Sequence, residues 1–157
     1  MAMLLEDVSA FLFDEARLLD QRRWHDWLTL FADGGMYWVP LAHGQTDPLN
    51  HASLFYEDAL LREVRARRLE EKRAWSQQPV TQAARIVGNI RLLPDHDGDI
   101  MVASTFHMLE WRRRDQRMLG GQYTHRLRWQ PDGLRIVLKR VDLIDCEAAQ
   151  DTLETFL

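Results

Sequence analysis

Four long segments with the composition of β-strands follow one another in the second half of the chain, separated by short connections. They span residues 80–93, 100–113, 121–130 and 134–145. Two of the connections contain an Asp-Gly pair, at Asp97-Gly98 and at Asp132-Gly133, and this pair favours tight hairpin turns. Regular spacing with short turns predicts an antiparallel meander over about residues 80–145.

The first half of the chain has helical periodicity instead. One set of side chains recurs at intervals of three or four residues: Leu5, Val8, Leu12, Glu15 and Leu19. This spacing places them on one side of a helix that starts near residue 4. A second helix is expected to begin at Asp20, a favoured N-cap residue, and to reach about residue 31. Asp33-Gly34-Gly35 is expected to end it, because glycine readily adopts the left-handed conformation.

A third helix is predicted over about residues 56–73. The side chains expected to face the core are Leu60, Leu61, Val64 and Leu69. Arginines and glutamates alternate between them, which indicates a solvent-exposed face with ion pairs one turn apart rather than a phosphate-binding surface.

The residue pattern between the second and third helices predicts one strand followed by a loop. Residues 36–41 are rich in aromatic and β-branched side chains, and Pro40 indicates that this strand is short or lies at an edge, because proline cannot donate to a sheet ladder. Residues 43–51 have the composition of a loop.

Helices followed by a meander predict an α+β fold, in which N-terminal helices pack on one face of a curved, mainly antiparallel sheet. We expect a single domain over residues 1–157. The strands are apolar on both faces, so the face without helices should meet a partner or enclose a pocket.

Composition limits the chemistry and the partners. Cys146 is the only cysteine, so the chain cannot form an internal disulfide, and we expect it in a reducing cytoplasm. One cysteine also excludes an internal iron–sulfur cluster, which needs at least two. The net charge of −4 argues against a nucleic-acid partner. The sequence contains neither a signal peptide nor an apolar run long enough to span a membrane.

Aromatic residues and histidines give two further indications. The chain has six tryptophans, more than one small core requires, so some are interpreted as interface residues. The six histidines lack the helical spacing of an iron site, which requires two histidines and a carboxylate that converge. A loop site made of His43, Asp47 and His51 is a minor alternative.

Several segments, in order, resemble one known family. The run FLFDEARLLDQRRWHDWLTLFADGGMYWVP (11–40) is similar to the N-terminal signature of aromatic-ring-hydroxylating dioxygenase β subunits. The run SLFYEDALLREVRARRLEEKRAWSQQPVTQAARIVGNI (53–90) resembles the family's Tyr-Asp helix and the strand that ends in Asn. TFHMLEWRRR (105–114) and LRIVLKRVDLID (134–145) match its C-terminal strands.

The resemblance implies a cone-shaped fold of the nuclear-transport-factor-2-like, cystatin-like type. It implies a non-catalytic subunit that assembles with a large α subunit, three copies of each. The α partner would hold a Rieske [2Fe-2S] cluster and a mononuclear Fe(II), with electrons supplied by NADH. Such an assembly adds both atoms of O₂ to an aromatic ring and yields a cis-dihydrodiol. No cofactor or metal is expected in this chain.

The resemblance carries over only a few residues. Arg85 and Asn89 match the family pattern, whereas Thr81-Gln82-Ala83-Ala84 departs from its usual Ser/Thr-Arg-Thr stretch. The candidates for contact with another subunit are Tyr37, Trp38, Pro40, Arg85, Asn89 and Arg112. Arg112 belongs to a cluster with Arg113, Arg114 and Arg117, for which ion pairing with an acidic partner surface is an alternative to a solvated turn.

Two other functions remain open from the sequence. Enzymes with a cone fold use a buried Asp or His as a general base, so a stand-alone isomerase, dehydratase or cyclase is the main alternative. Its pocket candidates would be Asp58 and His107, with Asp33 and Asp142 as further carboxylates. A binding module without chemistry is the third hypothesis.

Overall fold

The structure is a computed structural model that describes residues 2–75, 80–149 and 153–157, with side chains in the third helix described as far as residue 71. The helices and strands are α1 (Ala2–Asp20), α2 (Trp24–Leu28), β1 (Phe31–Pro40), β2 (Ser53–Glu57), α3 (Ala59–Trp75), β3 (Gln82–His96), β4 (Asp99–Arg112), β5 (Asp115–Gln130) and β6 (Gly133–Leu143). The sequence changes from helical to strand-like character after Gln77-Gln78-Pro79, and these three residues lie outside the described part of the chain.

The strands form one six-stranded sheet within the described part of the chain, in the order β2-β1-β6-β5-β4-β3. The pairs β3–β4, β4–β5 and β5–β6 are antiparallel, which confirms the predicted meander. β1 lies parallel to β6 and pairs with β2 on its other side. The prediction that this strand is short or at an edge is wrong, because β1 has ten residues and an internal position, and Pro40 lies at its end, at an irregularity of the β1–β2 pairing. The helices and segment 153–157 cover one face, called here the inner face; the opposite face is the outer face. The predicted α+β fold is confirmed.

The predicted loop over residues 114–120 is wrong. β5 begins at Asp115, so only Arg113 and Arg114 connect it to β4, and both have positive φ angles. Arginine is not a typical residue of tight turns, so the sequence contained no local signal for this hairpin.

The second helix is shorter than predicted, and Asp33-Gly34-Gly35 lies inside β1 instead of ending a helix. Gly35 is required by close packing, because a Cβ atom there would lie 2.6 Å from the carbonyl oxygen of Ile136 on β6. Asp20 is not the N-cap of α2. It is the last residue of α1, and its carboxylate accepts hydrogen bonds from Arg85.

The third helix begins later than predicted, and a different side of it is buried. The sequence did not predict β2, which contains Tyr56, and Asp58 then caps α3 by accepting a hydrogen bond from the Leu61 amide at 2.9 Å. Three of the four leucines and valines expected to face the core are exposed: Leu60, Leu61 and Val64. Arg62 is buried in their place, because its guanidinium donates to the carbonyl oxygens of Gly35 and Glu57. The expected ion pair one turn apart is present between Glu63 and Arg67.

Two apolar clusters fill the space between the helices and the inner face. One lies around Val8, Leu12, Val102, Leu127 and Ile136. The other is richer in aromatic rings and includes Trp24, Trp27, Tyr37, Phe106, Tyr123 and Phe156. The sequence predicts a short tail over residues 147–157, but Phe156 and Leu157 are fully buried in this second cluster.

Candidate functional site

Three ionisable side chains meet in the interior of the cone, where sequence analysis did not place a site. The carboxylate of Glu15 on α1 lies 2.8 Å from Nε2 of His125 on β5 and 2.8 Å from Nζ of Lys139 on β6. The indole N–H of Trp27 donates to the same carboxylate at 3.1 Å. All three ionisable residues are at most 2% exposed. They are called the interior charge cluster below.

The cluster lies at the boundary between the two apolar clusters, as the order of residues along each element shows. On α1, Glu15 lies between Leu12 of one cluster and Leu19 of the other. On β5, His125 lies between Tyr123 and Leu127 in the same way. The interior charge cluster therefore joins one helix to two strands at the middle of the core.

The electrostatics of the cluster are dominated by one buried carboxylate that lies between a lysine and a histidine. Burial alone would raise the pKa of the Glu15 carboxyl, but the attraction of Lys139 and His125 holds that pKa well below its usual range. Burial lowers the pKa of Lys139, and Glu15 partly offsets this effect. Glu15 is therefore ionised at neutral pH, and its removal would leave a buried ammonium group without its counter-ion.

A carboxylate beside a histidine can perform acid–base chemistry, so access to the cluster decides its role. The side chains around it, which include Leu12, Leu19, Val87 and Tyr123, leave no space between them for a water molecule. The arrangement can hold charges and orient helix α1. It offers no volume for a substrate.

Segment 153–157 fills the neighbouring part of the cone. The ring of Phe156 lies 4.4 Å from that of Trp27 and 5.8 Å from those of Trp24 and Tyr37, measured between centroids. Its carbonyl oxygen accepts a hydrogen bond from Arg85, and the amide of Leu157 donates to Tyr37 Oη at 3.0 Å. The segment is therefore held by both packing and polar contacts.

The structure does not bring together the residues named for a stand-alone enzyme. Asp58 is exposed at the start of α3, and His107 is exposed on the outer face of β4. Asp33 is also exposed, and Asp142 is paired with Arg140 at 2.7 Å. A pocket around Asp58 and His107 is therefore contradicted, because neither side chain faces the interior.

The six candidates for subunit contact divide into two groups. Tyr37 and Arg85 are in the interior, and Trp38 and Pro40 are buried by contacts within the chain, such as the hydrogen bond from Trp38 to Ser53. These four side chains offer little surface to a partner. Asn89 is exposed at an irregularity of β3, with φ of 50°, and Arg112 is partly exposed and paired with Glu154 at 2.6 Å.

The outer face instead carries a group of exposed apolar side chains, called here the outer apolar patch. Its members, with their exposed fractions, are Ile86 (76%), Trp111 (49%), Met118 (62%) and Ile144 (72%). The register places them on neighbouring strands of this face, because Ile86 pairs with His107 on β4, Met118 pairs with Leu109 on β4, and the Ile144 amide donates to Gly120 on β5. The sequence signal for this patch was the apolar character of both strand faces.

The described residues contain no group of three His, Cys, Asp or Glu side chains that could hold a metal ion. The loop site suggested for His43, Asp47 and His51 does not form, because Asp47 accepts hydrogen bonds from the Leu49 and Asn50 amides. In the parts of the chain that the structure covers, each helix is too short or too polar to cross a membrane.

Comparisons with known proteins agree with the resemblance seen in the sequence. The sequence model of one family, described as ring hydroxylating beta subunit, matches residues 14–149. The small oxygenase component of the p-cumate 2,3-dioxygenase system of Pseudomonas putida is 35% identical over 144 residues, which cover 90% of this chain and 79% of that protein.

Solved structures share the fold. The β subunit of the benzoate 1,2-dioxygenase from Burkholderia mallei superposes with a TM-score of 0.79 at 24% identity, covering 96% of both chains. A chain of naphthalene 1,2-dioxygenase, solved with indole bound in the active site, gives a TM-score of 0.83 at 18% identity and covers all of this chain and 87% of its own.

Proposed function

The chain belongs to the ring-hydroxylating β-subunit family, and on that premise we propose that it is the non-catalytic scaffold subunit of a Rieske non-haem iron aromatic-ring-hydroxylating dioxygenase. Its partner is a large α oxygenase subunit, with three copies of each chain in a cytoplasmic hexamer. The α subunit holds the Rieske [2Fe-2S] cluster and the mononuclear Fe(II), and NADH is the ultimate electron donor. The assembly adds O₂ to an aromatic ring to give a cis-dihydrodiol.

The observation that carries this proposal is the close packing of the described side chains around Glu15 and His125. Glu15 and His125 form a buried acid–base pair of the kind that would favour a stand-alone isomerase, dehydratase or cyclase. That pair is enclosed without space for a water molecule, and Phe156 occupies the adjoining aromatic region. An active site needs a concave volume that accepts most of a substrate's surface, and the surroundings of this pair do not provide one.

The outer apolar patch supports the scaffold role. Exposed apolar groups that cluster on one face of a chain mark surfaces that associate with other proteins. Trp111 and Met118 belong to the residue types that are enriched at such interfaces. We therefore place the subunit contacts on the outer face, together with Asn89 and Arg112, rather than at the buried Tyr37, Trp38, Pro40 and Arg85.

Co-expression with the large subunit encoded beside this chain tests the proposal. Size-exclusion chromatography with light scattering and iron analysis should give an iron-containing complex with three copies of each chain. The purified complex, supplied with its reductase and NADH, should convert an aromatic substrate to a cis-dihydrodiol. A chain that elutes at the same volume with and without the large subunit would contradict the scaffold role.

A further inference from the structure

Two hairpin turns of the sheet have positive φ angles at both turn positions but differ in sequence: one has the residues that favour this conformation, and the other does not. Asp97 and Gly98 connect β3 to β4 with φ angles of 51° and 80°. Arg113 and Arg114 connect β4 to β5 with φ angles of 49° and 69°. Two-residue hairpin turns with positive φ at both positions favour Asn-Gly or Asp-Gly, so the second turn uses unfavourable residues.

The unfavourable turn points to a role outside the fold. An L-residue with a long side chain is destabilised in the left-handed region, and such residues concentrate where function requires them. Arg113 and Arg114 are both exposed, so contacts that their guanidinium groups make within the chain are surface contacts, which contribute little to stability. The sequence at this turn is therefore explained poorly by stability alone.

The charges around the turn leave its tip basic. Arg112 pairs with Glu154 at 2.6 Å, and Arg117 pairs with Glu110 at 2.6 Å. Residues 110–117 contain four arginines and two carboxylates, Glu110 and Asp115. A chain with a net charge of −4 thus presents a localised positive end on its longest hairpin.

The turn also adjoins the outer apolar patch. Trp111 immediately precedes Arg112 and is half exposed, and Met118 lies on the returning strand. Tryptophan and arginine are the residue types most enriched among those that dominate binding energy at interfaces. The planar guanidinium of arginine binds carboxylates through two parallel hydrogen bonds, which gives orientation as well as attraction.

We propose that the Arg113-Arg114 turn is a docking element that binds carboxylates on the surface of the large oxygenase subunit. This inference rests on the proposed function, which supplies the partner. The turn is held in an unfavourable conformation in the free chain and is stabilised by acidic groups when the two subunits associate.

A turn exchange in the full-length chain tests the inference. Arg113→Asn with Arg114→Gly produces a favoured turn sequence, so the melting temperature of the free chain should rise by about 2–4 °C. The Kd for the purified large subunit should increase about tenfold or more, and its dependence on salt should weaken because two charges are lost. Asp97→Arg with Gly98→Arg is the mirror control, which should lower the melting temperature and leave the Kd unchanged.

The outcomes separate the inference from the function on which it rests. If the Asn-Gly variant is more stable and binds the large subunit with unchanged Kd and salt dependence, the docking role is wrong. If the variant is less stable than the wild type, the arginines act within the chain, and the inference is again overturned. Failure of the wild-type chain to bind the large subunit would overturn the proposed function itself, and the docking role with it.

Discussion

The inner face of the sheet carries charged side chains in the interior, whereas the outer face carries apolar side chains exposed to solvent. His125 and Lys139 point inward to Glu15, while Ile86 and Met118 point outward. An antiparallel sheet with one solvated face normally shows the reverse pattern. The interior of this cone therefore holds the fold together through buried ionic and aromatic contacts. The surface that the proposed function uses is the outer face.

Removal of the central carboxylate should give the largest effect. Glu15→Gln leaves Lys139 buried without a counter-ion, so the free energy of unfolding should fall by about 3–5 kcal/mol. Urea denaturation followed by circular dichroism measures this change. Glu6→Gln, at an exposed position of the same helix, is the matched control and should change stability by less than about 0.5 kcal/mol. Equal stability of the two variants would show that the interior charges are not structural.

Truncation of the buried ring in the last segment should have a similar or slightly smaller effect. Phe156→Ala removes a fully buried ring that packs on Trp27, and the expected loss is about 3–4 kcal/mol. Phe13→Ala, at a ring that is 51% exposed, should cost much less. If thermal denaturation shows no difference between them, segment 153–157 does not close the core.

Acid should weaken the inner face through Glu15. Its carboxyl has a lowered pKa in the folded chain, so it contributes stability that is fully present above its ordinary pKa of 4.5 and is lost as the pH falls toward the folded value. The free energy of unfolding should therefore decrease below about pH 4.5, and more steeply for the wild type than for Glu15→Gln. Parallel pH profiles for the two proteins would contradict the assignment.

Changes to the outer face should affect folding least and assembly most. Ile86→Ser with Met118→Ser alters only exposed side chains, so the free energy of unfolding should change by about 0.5 kcal/mol or less. The yield of complex with the large subunit should fall sharply, because apolar contact surface is lost. Leu49→Ser, at an exposed loop residue away from the patch, should leave the yield unchanged. A normal yield from the double variant would remove the outer apolar patch from the interface.

The two hairpin turns show which turns can be predicted from the turn residues alone. Asp97-Gly98 was predicted as a turn, because its chemistry acts within two residues. Arg113-Arg114 was missed, because long-range pairing of β4 with β5 imposes the same conformation on residues that do not favour it. The phase of α3 was missed for a related reason, since Arg62 is oriented by carbonyl groups of β1 and β2.

The interior charge cluster was only partly visible in the sequence. Glu15 stood out as a carboxylate within the apolar stripe of α1. Its partners lie 110 and 124 residues further along the chain, at His125 and Lys139, so their convergence depends on the completed fold. A shift in register between β5 and β6 near Leu127 also changes which residues of β6 face inward, and strand alternation cannot reveal it.

The tryptophans fall into two groups, one buried in the core and one exposed to solvent. Trp24 and Trp27 are core residues, whereas Trp111 and Trp129 are about half exposed. The side chain of Trp75 lies outside the described residues. The interpretation of some tryptophans as interface residues stays a prediction, and Trp111 is its best candidate.

The burial of Phe156 and Leu157 has a consequence for biosynthesis. Because these side chains complete the aromatic cluster around Trp27 and Tyr37, the cone cannot close until the ribosome has released the chain as far as residue 157. Synthesis proceeds at about 5–20 residues per second. The helices and strands made earlier therefore keep part of their apolar surface exposed for several seconds. The last described residues must therefore emerge before the aromatic cluster can be completed.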